Sequence, residues 1–553
     1  MEILHIEDLT FKYPGAEENA VNSISFDVRQ GEFVLLCGVS GCGKTTLLKL
    51  LKPELSPHGE RRGSILYDGV EIRELDNRRS AGEIGFVMQS PDSQIVTDKV
   101  WHELAFGLEN LGVPSSVIRR RVGEIACYFG IQNILHEKTD ELSGGQKQLL
   151  NLASVMVMQP KLLILDEPTG QLDPIAASEF IGTLVKLNRE LGLTIILAEH
   201  RLEEVFPAAD RVLVMDKGSV LMYDTPKHIG ANLDRIEALP IYRGLPSAMR
   251  LYRELKVSGE CPLTVREGRD MLEADFAPQN MDTPPECSCD GKAAVELRRV
   301  WFRYERNSPD VLRGISLSVT AGEHMCILGG NGAGKTTMLR VMAGLLKAYR
   351  GGVFINERKL SEYRSGSLYR NCLALLPQDP VTLFIKDNVR DDLTHLVAAH
   401  GKSKEESAAA AETISEMLGI THLLDRHPYD LSGGEQQKCA LAKLLMTEPR
   451  IILLDEPTKG LDAASKTELR RILDMLKTNG TTIITVTHDV EFAAETADRC
   501  ALFFDGEIVS VDTPARFFAE NNYYTTAASR MARGLFRYAV TCRDVVLCCG
   551  GCE

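Results

Sequence analysis

Two glycine-rich segments have the residue types and spacing of a loop that surrounds phosphate groups. The pattern GxxxxGK[ST] occurs at 38–45 and again at 329–336. Its glycines let backbone amides turn toward phosphate oxygens, and the helix that begins there adds its positive end. The lysine can reach the β and γ phosphates, and the last hydroxyl can bind Mg²⁺. The predicted nucleotide contacts are Gly38, Ser40, Gly41, Cys42, Gly43, Lys44, Thr45 and Thr46 in the first segment, and Gly329, Asn331, Gly332, Ala333, Gly334, Lys335, Thr336 and Thr337 in the second.

An acidic pair ends an apolar run in each half of the sequence. LLILDE ends on Asp166 and Glu167, and IILLDE ends on Asp455 and Glu456. The aspartate of each pair is suited to bind Mg²⁺, and the glutamate is suited to polarise the water that attacks a phosphate. A solvent-exposed acidic pair at a strand end is the alternative, but the phosphate-binding pattern upstream of each pair disfavours it. We therefore predict two sites that hydrolyse a nucleoside triphosphate.

Cys42 lies inside the first glycine-rich segment, where a helix is expected to begin. Thiols at helix N-termini tend to have a lowered pKa, which makes them reactive. One hypothesis is therefore that oxidation or alkylation of Cys42 blocks the first site only. The alternative is that Cys42 is a small residue that fills space.

These motifs belong to a long internal repeat. LSGGQKQ at 142–148 recurs as LSGGEQQ at 431–437, and Lys44 and Lys335 are 291 positions apart. Self-similarity at this distance indicates a duplicated domain rather than a short-period solenoid. The predicted organisation is a first domain at 1–230, a helical appendage and flexible linker at 231–293, a second domain at 294–525 and a C-terminal appendage at 526–553.

Short, continuous apolar runs must position the motifs within each copy. EFVLLCG at 32–38 leads into the first glycine-rich turn, and TIILAE at 194–199 is a similar run. Runs of this length and composition are typical of parallel strands buried on both faces by helices. The predicted fold class is α/β, with a mostly parallel sheet and covering helices in each copy.

The composition of the chain indicates where in the cell the protein acts and which kinds of partner are disfavoured. The 553 residues are 44% hydrophobic and 25% charged, with a formal net charge of −14, which disfavours a general nucleic-acid surface. No apolar run approaches the length of a membrane-spanning helix, and the N-terminus lacks the features of a signal peptide. We expect a cytosolic chain whose membrane role, if any, is peripheral.

The 14 cysteines do not suggest a disulfide framework. Five lie singly in apolar stretches, where a thiol behaves as a small hydrophobe; they are Cys37, Cys127, Cys326, Cys439 and Cys500. Two clusters differ, Cys287 with Cys289 and Cys548 with Cys549 and Cys552. Neither has the paired spacing of a zinc site, so reduced thiols are favoured over metal binding.

With the LSGG pattern added, the chain resembles the ATP-binding-cassette (ABC) superfamily over most of its length. This resemblance implies two tandem P-loop NTPase domains, each with a helical subdomain that carries LSGG. It also implies that each LSGG segment closes on the ATP of the opposite domain, so that Lys44 works with Ser432 and Lys335 with Ser143. The implied ATP contacts are Ser143, Gly144, Gly145 and Gln146 in the first copy, and Ser432, Gly433, Gly434 and Glu435 in the second.

The resemblance assigns roles to four further pairs of residues. A glutamine contacts Mg²⁺ and leads to the transmission surface, an aspartate crosses the domain interface, a histidine contacts the γ-phosphate and a tyrosine stacks on adenine. In that order the pairs are Gln89 and Gln378, Asp173 and Asp462, His200 and His488, and Tyr13 and Tyr304. Structural roles are the alternatives for the histidines and tyrosines. Because both copies keep these groups, we predict ATP hydrolysis at both sites.

The segment after Gln89 indicates which ABC proteins the chain is most similar to. SPDSQIVTDKVWHELAFGLENLGVP at 90–114 is similar to energy-coupling-factor (ECF) importers of vitamins and metal ions. Further resemblance lies at 261–268, 377–393 and 523–534. It implies an integral membrane coupling subunit docked beside Gln89 and Gln378, a small substrate-binding membrane subunit, and a location at the cytoplasmic membrane face. A soluble ABC ATPase of ribosomes or DNA and a fused sugar-importer ATPase are the alternatives.

Overall fold

The protein is described by a computed structural model that covers residues 1–279, 282–285, 291–363, 366–398 and 403–550. It divides into two compact units, Met1–Thr264 and Val265–Glu553. Cys287, Cys289 and Cys552, which belong to the two cysteine clusters, lie outside the described residues.

The first unit contains ten strands and ten α-helices within its described residues. Its strands are β1 (Glu2–Lys12), β2 (Val21–Arg29), β3 (Phe33–Gly38), β4 (Glu60–Tyr67), β5 (Val70–Glu71), β6 (Ile84–Val87), β7 (Leu162–Asp166), β8 (Thr194–Ala198), β9 (Arg211–Asp216) and β10 (Ser219–Asp224). Its helices are α1 (Lys44–Leu50), α2 (Asn77–Glu83), α3 (Pro91–Gln94), α4 (Val100–Asn110), α5 (Ser115–Tyr128), α6 (Gly144–Met156), α7 (Pro174–Leu191), α8 (Leu202–Val205), α9 (Pro226–Ala231) and α10 (Ser247–Glu254).

The second unit repeats the order of the strands, with a different set of helices. Its strands are β11 (Ala293–Phe302), β12 (Leu312–Thr320), β13 (His324–Leu328), β14 (Arg350–Ile355), β15 (Arg358–Lys359), β16 (Leu373–Leu376), β17 (Ile451–Asp455), β18 (Thr482–Thr487), β19 (Arg499–Phe504) and β20 (Glu507–Asp512). Its helices are α11 (Val265–Asp275), α12 (Lys335–Met342), α13 (Val389–Ala398), α14 (Lys404–Met417), α15 (Gly433–Leu445), α16 (Ala463–Thr478), α17 (Val490–Thr496), α18 (Pro514–Glu520), α19 (Ala527–Ala532) and α20 (Cys542–Cys548).

A six-stranded, mostly parallel sheet forms the centre of each unit. The strand order is β10-β9-β3-β8-β7-β6 in the first unit and β16-β17-β18-β13-β19-β20 in the second. Only the hairpins β9–β10 and β19–β20 are antiparallel in these sheets. β3, β7 and β8 are buried along their whole length, as expected for strands covered on both faces. The predicted α/β fold class is confirmed.

Two other layers complete each unit. Each unit has a four-stranded antiparallel sheet, in the order β2-β1-β4-β5 or β12-β11-β14-β15. Its apolar face shares a hydrophobic core with the six-stranded sheet of the same unit. In the first unit α4, α5 and α6 pack together through buried aliphatic residues such as Val100, Leu104 and Val122. The LSGG segment opens α6, so it is carried by this helical layer.

The segment 231–293 is divided between the two units. α10 belongs to the first unit, whereas α11 belongs to the second and packs against α19. The Arg269 guanidinium donates to the Arg530 carbonyl at 2.7 Å, and the Gln279 amide N–H donates to the Leu535 carbonyl at 3.0 Å. α11 and the C-terminal helices therefore form one helical group inside the second unit.

Candidate active sites

In each unit the predicted site residues collect at the carboxyl ends of neighbouring parallel strands. β3 ends at Gly38, β7 ends at Asp166, and β8 ends at Ala198, two residues before His200. β6 ends at Val87, two residues before Gln89. The open end of a parallel sheet is the usual place for a ligand in such folds, because the loops that follow the strands converge there.

In each glycine-rich loop, two backbone carbonyl oxygens accept hydrogen bonds from the lysine ammonium. Lys44 is 4% exposed, and its ammonium donates to the carbonyls of Gly38 at 2.9 Å and Val39 at 3.2 Å. Lys335 makes the equivalent bonds to Gly329 and Gly330, both at 2.9 Å. A buried ammonium whose hydrogen bonds are to neutral carbonyl oxygens favours an anion such as phosphate.

Glycine is required where each loop meets its helix. Gly43 has φ of 102° and Gly334 has φ of 112°, in the left-handed region. A Cβ atom at Gly43 would lie 2.2 Å from the Ala20 carbonyl oxygen. No other residue fits there, which is why the glycine precedes the lysine in both copies.

The residues expected to bind Mg²⁺ lie together in both units. The Thr45 hydroxyl donates to Asp166 at 3.1 Å, and the Thr336 hydroxyl donates to Asp455 at 3.0 Å. Burial raises the pKa of both aspartates to about 6, and the neighbouring Glu167 adds to the effect at Asp166. A buried carboxylate beside a hydroxyl fits a hard divalent cation, which would stabilise the ionised form.

Glu167 lies at the centre of the first site. Its carboxylate accepts from the Gln89 amide at 2.8 Å, lies 2.7 Å from Nε2 of His200 and lies 3.6 Å from the Lys44 ammonium. Burial acts to raise the pKa of Glu167, but the hydrogen bond from His200 and the positive charges of His200 and Lys44 outweigh it, so the pKa is lowered. An ionised carboxylate is the form that polarises water.

Glu456 makes a different set of contacts in the second site. Its carboxylate lies 2.8 Å from Nδ1 of His488 and 3.7 Å from the Lys335 ammonium. It also accepts from the His488 backbone amide at 3.3 Å. Gln378 is exposed and, within the described residues, makes no hydrogen bond to Glu456. The structure thus brings Gln89 to the first catalytic glutamate but does not bring Gln378 to the second.

Both catalytic glutamates have backbone conformations that are uncommon for residues with a side chain. φ is 47° at Glu167 and 51° at Glu456. A left-handed residue of this kind costs on the order of 1 kcal/mol, and such strain is concentrated at functional sites. The amide of Glu167 donates to the Ala198 carbonyl at 2.9 Å, and the amide of Glu456 donates to the Val486 carbonyl at 2.8 Å. These bonds hold the strained turn against the neighbouring strand.

The two tyrosines lie beside their loops with part of the ring exposed. The Tyr13 hydroxyl is 3.1 Å from the Thr46 hydroxyl, and the Tyr304 hydroxyl is 2.9 Å from that of Thr337. Each ring also packs edge-on against a buried phenylalanine two residues earlier. The rings therefore have both local packing and a free surface, and stacking on adenine stays a prediction.

The LSGG serines and the interface aspartates each begin a helix. Ser143 and Gln146 form a capping box at the start of α6, in which the Gln146 amide donates to the Ser143 hydroxyl at 3.3 Å. At the start of α15 the partner of Ser432 is Glu435, whose carboxylate accepts from the Ser432 amide at 2.8 Å. Asp173 and Asp462 cap the following helices, accepting at 2.8 and 2.7 Å. Their contacts across a domain interface stay predictions.

Glu199 is a residue at the first site that the sequence motifs did not single out. It is 2% exposed, and its carboxylate accepts from the backbone amides of Thr169 and His200 at 2.9 and 2.8 Å. The second copy has Thr487 at this position. A glutamate at the end of an otherwise apolar strand, where the other copy has threonine, is the signal that could have revealed it.

The structure contradicts the hypothesis of a reactive Cys42. The side chain is buried, and burial raises its pKa even though Lys44 is close. Burial outweighs the charge of Lys44 and the backbone hydrogen bonds that favour a thiolate, so the space-filling interpretation is favoured. Cys127 also differs from expectation because it is exposed, whereas Cys37, Cys326, Cys439 and Cys500 are buried.

A glycine-rich loop suited to bind triphosphate, a hydroxyl and carboxylate suited to a cation, and a glutamate in contact with a histidine are the features expected of a nucleotide-hydrolysing protein. The family description "ABC transporter" matches residues 21–170 and 312–459. A protein of Bacillus thuringiensis, provisionally named an ABC transporter ATP-binding protein, is 42% identical over 98% of this chain and 98% of its own. A protein of the same description from Streptomyces coelicolor is 36% identical over 93% of this chain and 94% of its own.

A solved structure is similar to part of the chain. It is described as cbiO1 from Clostridium perfringens, part of the ABC transporter complex cbiONQ, and is 34% identical. The match covers 43% of this chain and 96% of that one, with a TM-score of 0.39.

The chain belongs to the ABC transporter family. It is an ATPase and an ATP-binding subunit of a transporter, with two ABC domains in one polypeptide. Among the described residues, every helix is too short or too polar to cross a bilayer.

Proposed function

We propose that the chain is the ATPase subunit of an ECF-type importer, bound peripherally at the cytoplasmic face of the membrane. Its membrane partners would be an integral coupling subunit and a small substrate-binding subunit, and the cargo would be a vitamin, metal ion or similar small solute. The proposal rests on the segment that follows Gln89, whose sequence is similar to that of ECF importers, and on the surface that this segment forms.

The surface beside the glutamines carries an exposed aliphatic residue at the same position in both units. Val96 is 68% exposed and Ile385 is 75% exposed, each seven residues after the glutamine. Isolated apolar residues on a surface are common, but a pair repeated at equivalent positions supports a docking role. We name these two residues the docking pair.

Buried carboxylates accept hydrogen bonds from the backbone of the loops that carry the docking pair. Buried Glu103 accepts from the amides of Val96 and Thr97 at 3.1 and 2.8 Å. Buried Asp392 accepts from the amide of Ile385 at 3.1 Å and is paired with Lys443 at 2.9 Å. A partner that moves these loops would therefore move the helices beneath them.

The same segment is connected to the catalytic glutamate and to the LSGG helix of the first unit. Gln94 accepts from the Met88 amide at 2.8 Å, next to Gln89, which reaches Glu167. Asp92 pairs with Lys147 of α6 at 2.6 Å. These contacts supply a physical connection from the docking pair to the site of hydrolysis.

ATP is proposed to bind between the two domains, with the Lys44 loop facing Ser432 and the Lys335 loop facing Ser143. Thr45, Asp166 and Gln89 would hold Mg²⁺ in the first site, and Thr336, Asp455 and Gln378 in the second. The metal would neutralise phosphate charge. Glu167 and Glu456 would polarise the attacking water, and the histidines would hold the γ-phosphate. Because both domains are in one chain, closure would be intramolecular at high effective concentration.

Purification from solubilised membranes tests the proposal. We expect the wild-type chain to be recovered with integral membrane proteins, and the double variant Val96→Asp/Ile385→Asp to lose at least nine-tenths of them, roughly the effect of removing an interface anchor. The ATPase rate of the purified double variant should stay within about twofold of wild type, since neither residue touches a site. Leu221→Asp, at an exposed residue of the edge strand β10, is the matched control and should retain the partners.

Recovery of ribosomal or DNA-repair proteins in place of membrane proteins would contradict the proposal. So would full retention of the membrane partners by the double variant, because that would place the docking surface elsewhere.

A further inference from the structure

We propose that Glu199 is a positioning residue that prepares the first site for hydrolysis before ATP arrives, by binding the His200 amide so that the Glu167 carboxylate is oriented toward Gln89. The proposal concerns the ATPase reaction itself and does not depend on the identity of the transporter.

Glu199 joins the two loops that flank Glu167. One carboxylate oxygen accepts from both the amide and the hydroxyl of Thr169, three residues after Asp166. The other oxygen accepts from the amides of His200 at 2.8 Å and Arg201 at 3.4 Å. A buried carboxylate with donors on both oxygens is a rigid connection, because loss of any partner would leave a buried polar group unsatisfied.

The connection is extended by the residue after the histidine. The Arg201 guanidinium donates to the Leu172 carbonyl at 2.9 Å, next to Asp173. The loop that carries His200 is thus fixed to the loop that follows Glu167 at two points, Thr169 and Leu172.

The second unit shows what happens without this carboxylate. The Thr487 hydroxyl reaches only the Thr458 hydroxyl, at 3.4 Å, and the Asp489 amide, at 3.0 Å. The backbone amide of His488 donates instead to the catalytic Glu456.

This exchange of partners explains the difference at the glutamines. In the first unit Glu199 accepts from the His200 amide, and Oε2 of Glu167 faces Gln89. In the second unit Oε2 of Glu456 is turned toward His488, whose amide and Nδ1 it contacts, and Gln378 is not bound to the carboxylate. Glu199 therefore acts on the orientation of Glu167, by taking the histidine amide that would otherwise attract it.

The first test is a double-mutant cycle between Glu199 and Gln89 in the full chain, read out as kcat and KM for Mg²⁺–ATP. Glu199→Thr gives the first unit the residue that the second unit has. We expect it to lower kcat about fivefold with KM changed less than about twofold, as when an interaction specific to the transition state is lost. Gln89→Ala should then cost about tenfold in wild type but less than about threefold in the Glu199→Thr chain.

Equal costs of Gln89→Ala in both backgrounds would overturn the proposal, because a residue that only stabilises the fold would act additively. The matched control is the same cycle with Gln378→Ala in place of Gln89→Ala. The hydrogen-bond partners of Glu199 are Thr169, His200 and Arg201 of the first unit, so we expect the two substitutions to be additive there.

Hydrogen exchange of the nucleotide-free chain gives a readout independent of turnover. The amide of Thr169 should exchange at least about tenfold more slowly than that of Thr458, because a buried carboxylate accepts from the Thr169 amide, whereas Thr487 contacts Thr458 only through the two hydroxyls. Glu199→Thr should remove this difference while leaving the exchange of α7 unchanged. Equal protection of the two units in wild type, or no change in the variant, would contradict the proposal.

Discussion

The two candidate active sites contain the same predicted catalytic residues but hold them differently. In the first, the carboxylate of Glu167 is contacted by Gln89, His200 and Lys44, whereas in the second Glu456 is contacted by His488 and Lys335. The histidines even present different ring nitrogens, Nε2 in His200 and Nδ1 in His488. Duplication therefore preserved the chemistry and let the supporting contacts diverge.

The comparison also distinguishes the groups that have the same geometry in both sites from a supporting residue that differs between them. The lysine, the hydroxyl–aspartate pair and the left-handed glutamate are geometrically equivalent in both units. The residue before the histidine is not, since one copy has a buried glutamate and the other a threonine. The first group contacts phosphate or metal in the proposed reaction, and the second only supports those that do.

The largest difference between the sites should appear when each glutamine is removed. Gln89→Ala breaks an existing hydrogen bond to a carboxylate, so we expect kcat to fall about tenfold, which corresponds to about 1.4 kcal/mol. Gln378→Ala breaks no such bond in the empty site and should lower kcat only about threefold. Steady-state phosphate release measures both, and equal losses would contradict the distinction between the sites.

The two sites share a buried aspartate with a raised pKa, so substitutions of Asp166 and Asp455 should change the stability of the chain in the same way. Their pKa of about 6 lies above the usual value of 3.8, so the folded chain binds more protons than the unfolded chain between about pH 4 and 6. The free energy of unfolding of the nucleotide-free protein therefore falls as pH rises through that window. Above the window the full destabilisation by the buried carboxylates is present.

Replacing either aspartate by asparagine removes this cost. Asp166→Asn and Asp455→Asn should each stabilise the nucleotide-free chain by about 1 kcal/mol at pH 7.5, and by less at pH 5.5. Thermal unfolding at the two pH values measures the effect. With saturating Mg²⁺–ATP the order should reverse, because wild type gains more from ligand binding. If either asparagine variant were stabilised more at pH 5.5 than at pH 7.5, the predicted direction of the pH dependence would be wrong.

The smallest effect is expected at Cys42, the residue that replaces Ala333 of the second loop. Because burial raises its pKa, a polar maleimide should modify less than about a tenth of it at pH 7.5 in the time that modifies exposed Cys127 completely. The ATPase rate should be unchanged by the treatment. Mass spectrometry of the labelled peptides checks this, and rapid labelling of Cys42 would restore the reactive-thiol hypothesis.

The catalytic residues could be placed from sequence because they lie next to strongly patterned elements. LLILD and IILLD are buried strands, and the residue that ends each has a fixed position at the edge of the sheet. The serines of LSGG could likewise be assigned to a helix start, since serine with glutamine or glutamate three residues later is a capping pattern.

Other features depend on contacts distant in sequence. Nothing local predicts that α11 packs on α19, more than 250 residues later, or that β1 pairs with both β2 and β4. Gln89 and Gln378 occupy equivalent positions, yet only Gln89 reaches its glutamate, and the two units also differ in which carboxylate accepts from the neighbouring histidine amide. Such differences become visible only when the side chains around each glutamate are located.

The central claim is that both sites hydrolyse ATP, and single substitutions of the catalytic glutamates test it most directly. Glu167→Gln and Glu456→Gln keep the shape of the side chain and remove its charge. Because the proposed closure of the two domains couples the two sites, each substitution alone is expected to lower the steady-state ATPase rate of the full chain at least about tenfold, with ATP still bound. If either variant hydrolyses ATP at the wild-type rate, that site is dispensable and the claim is wrong.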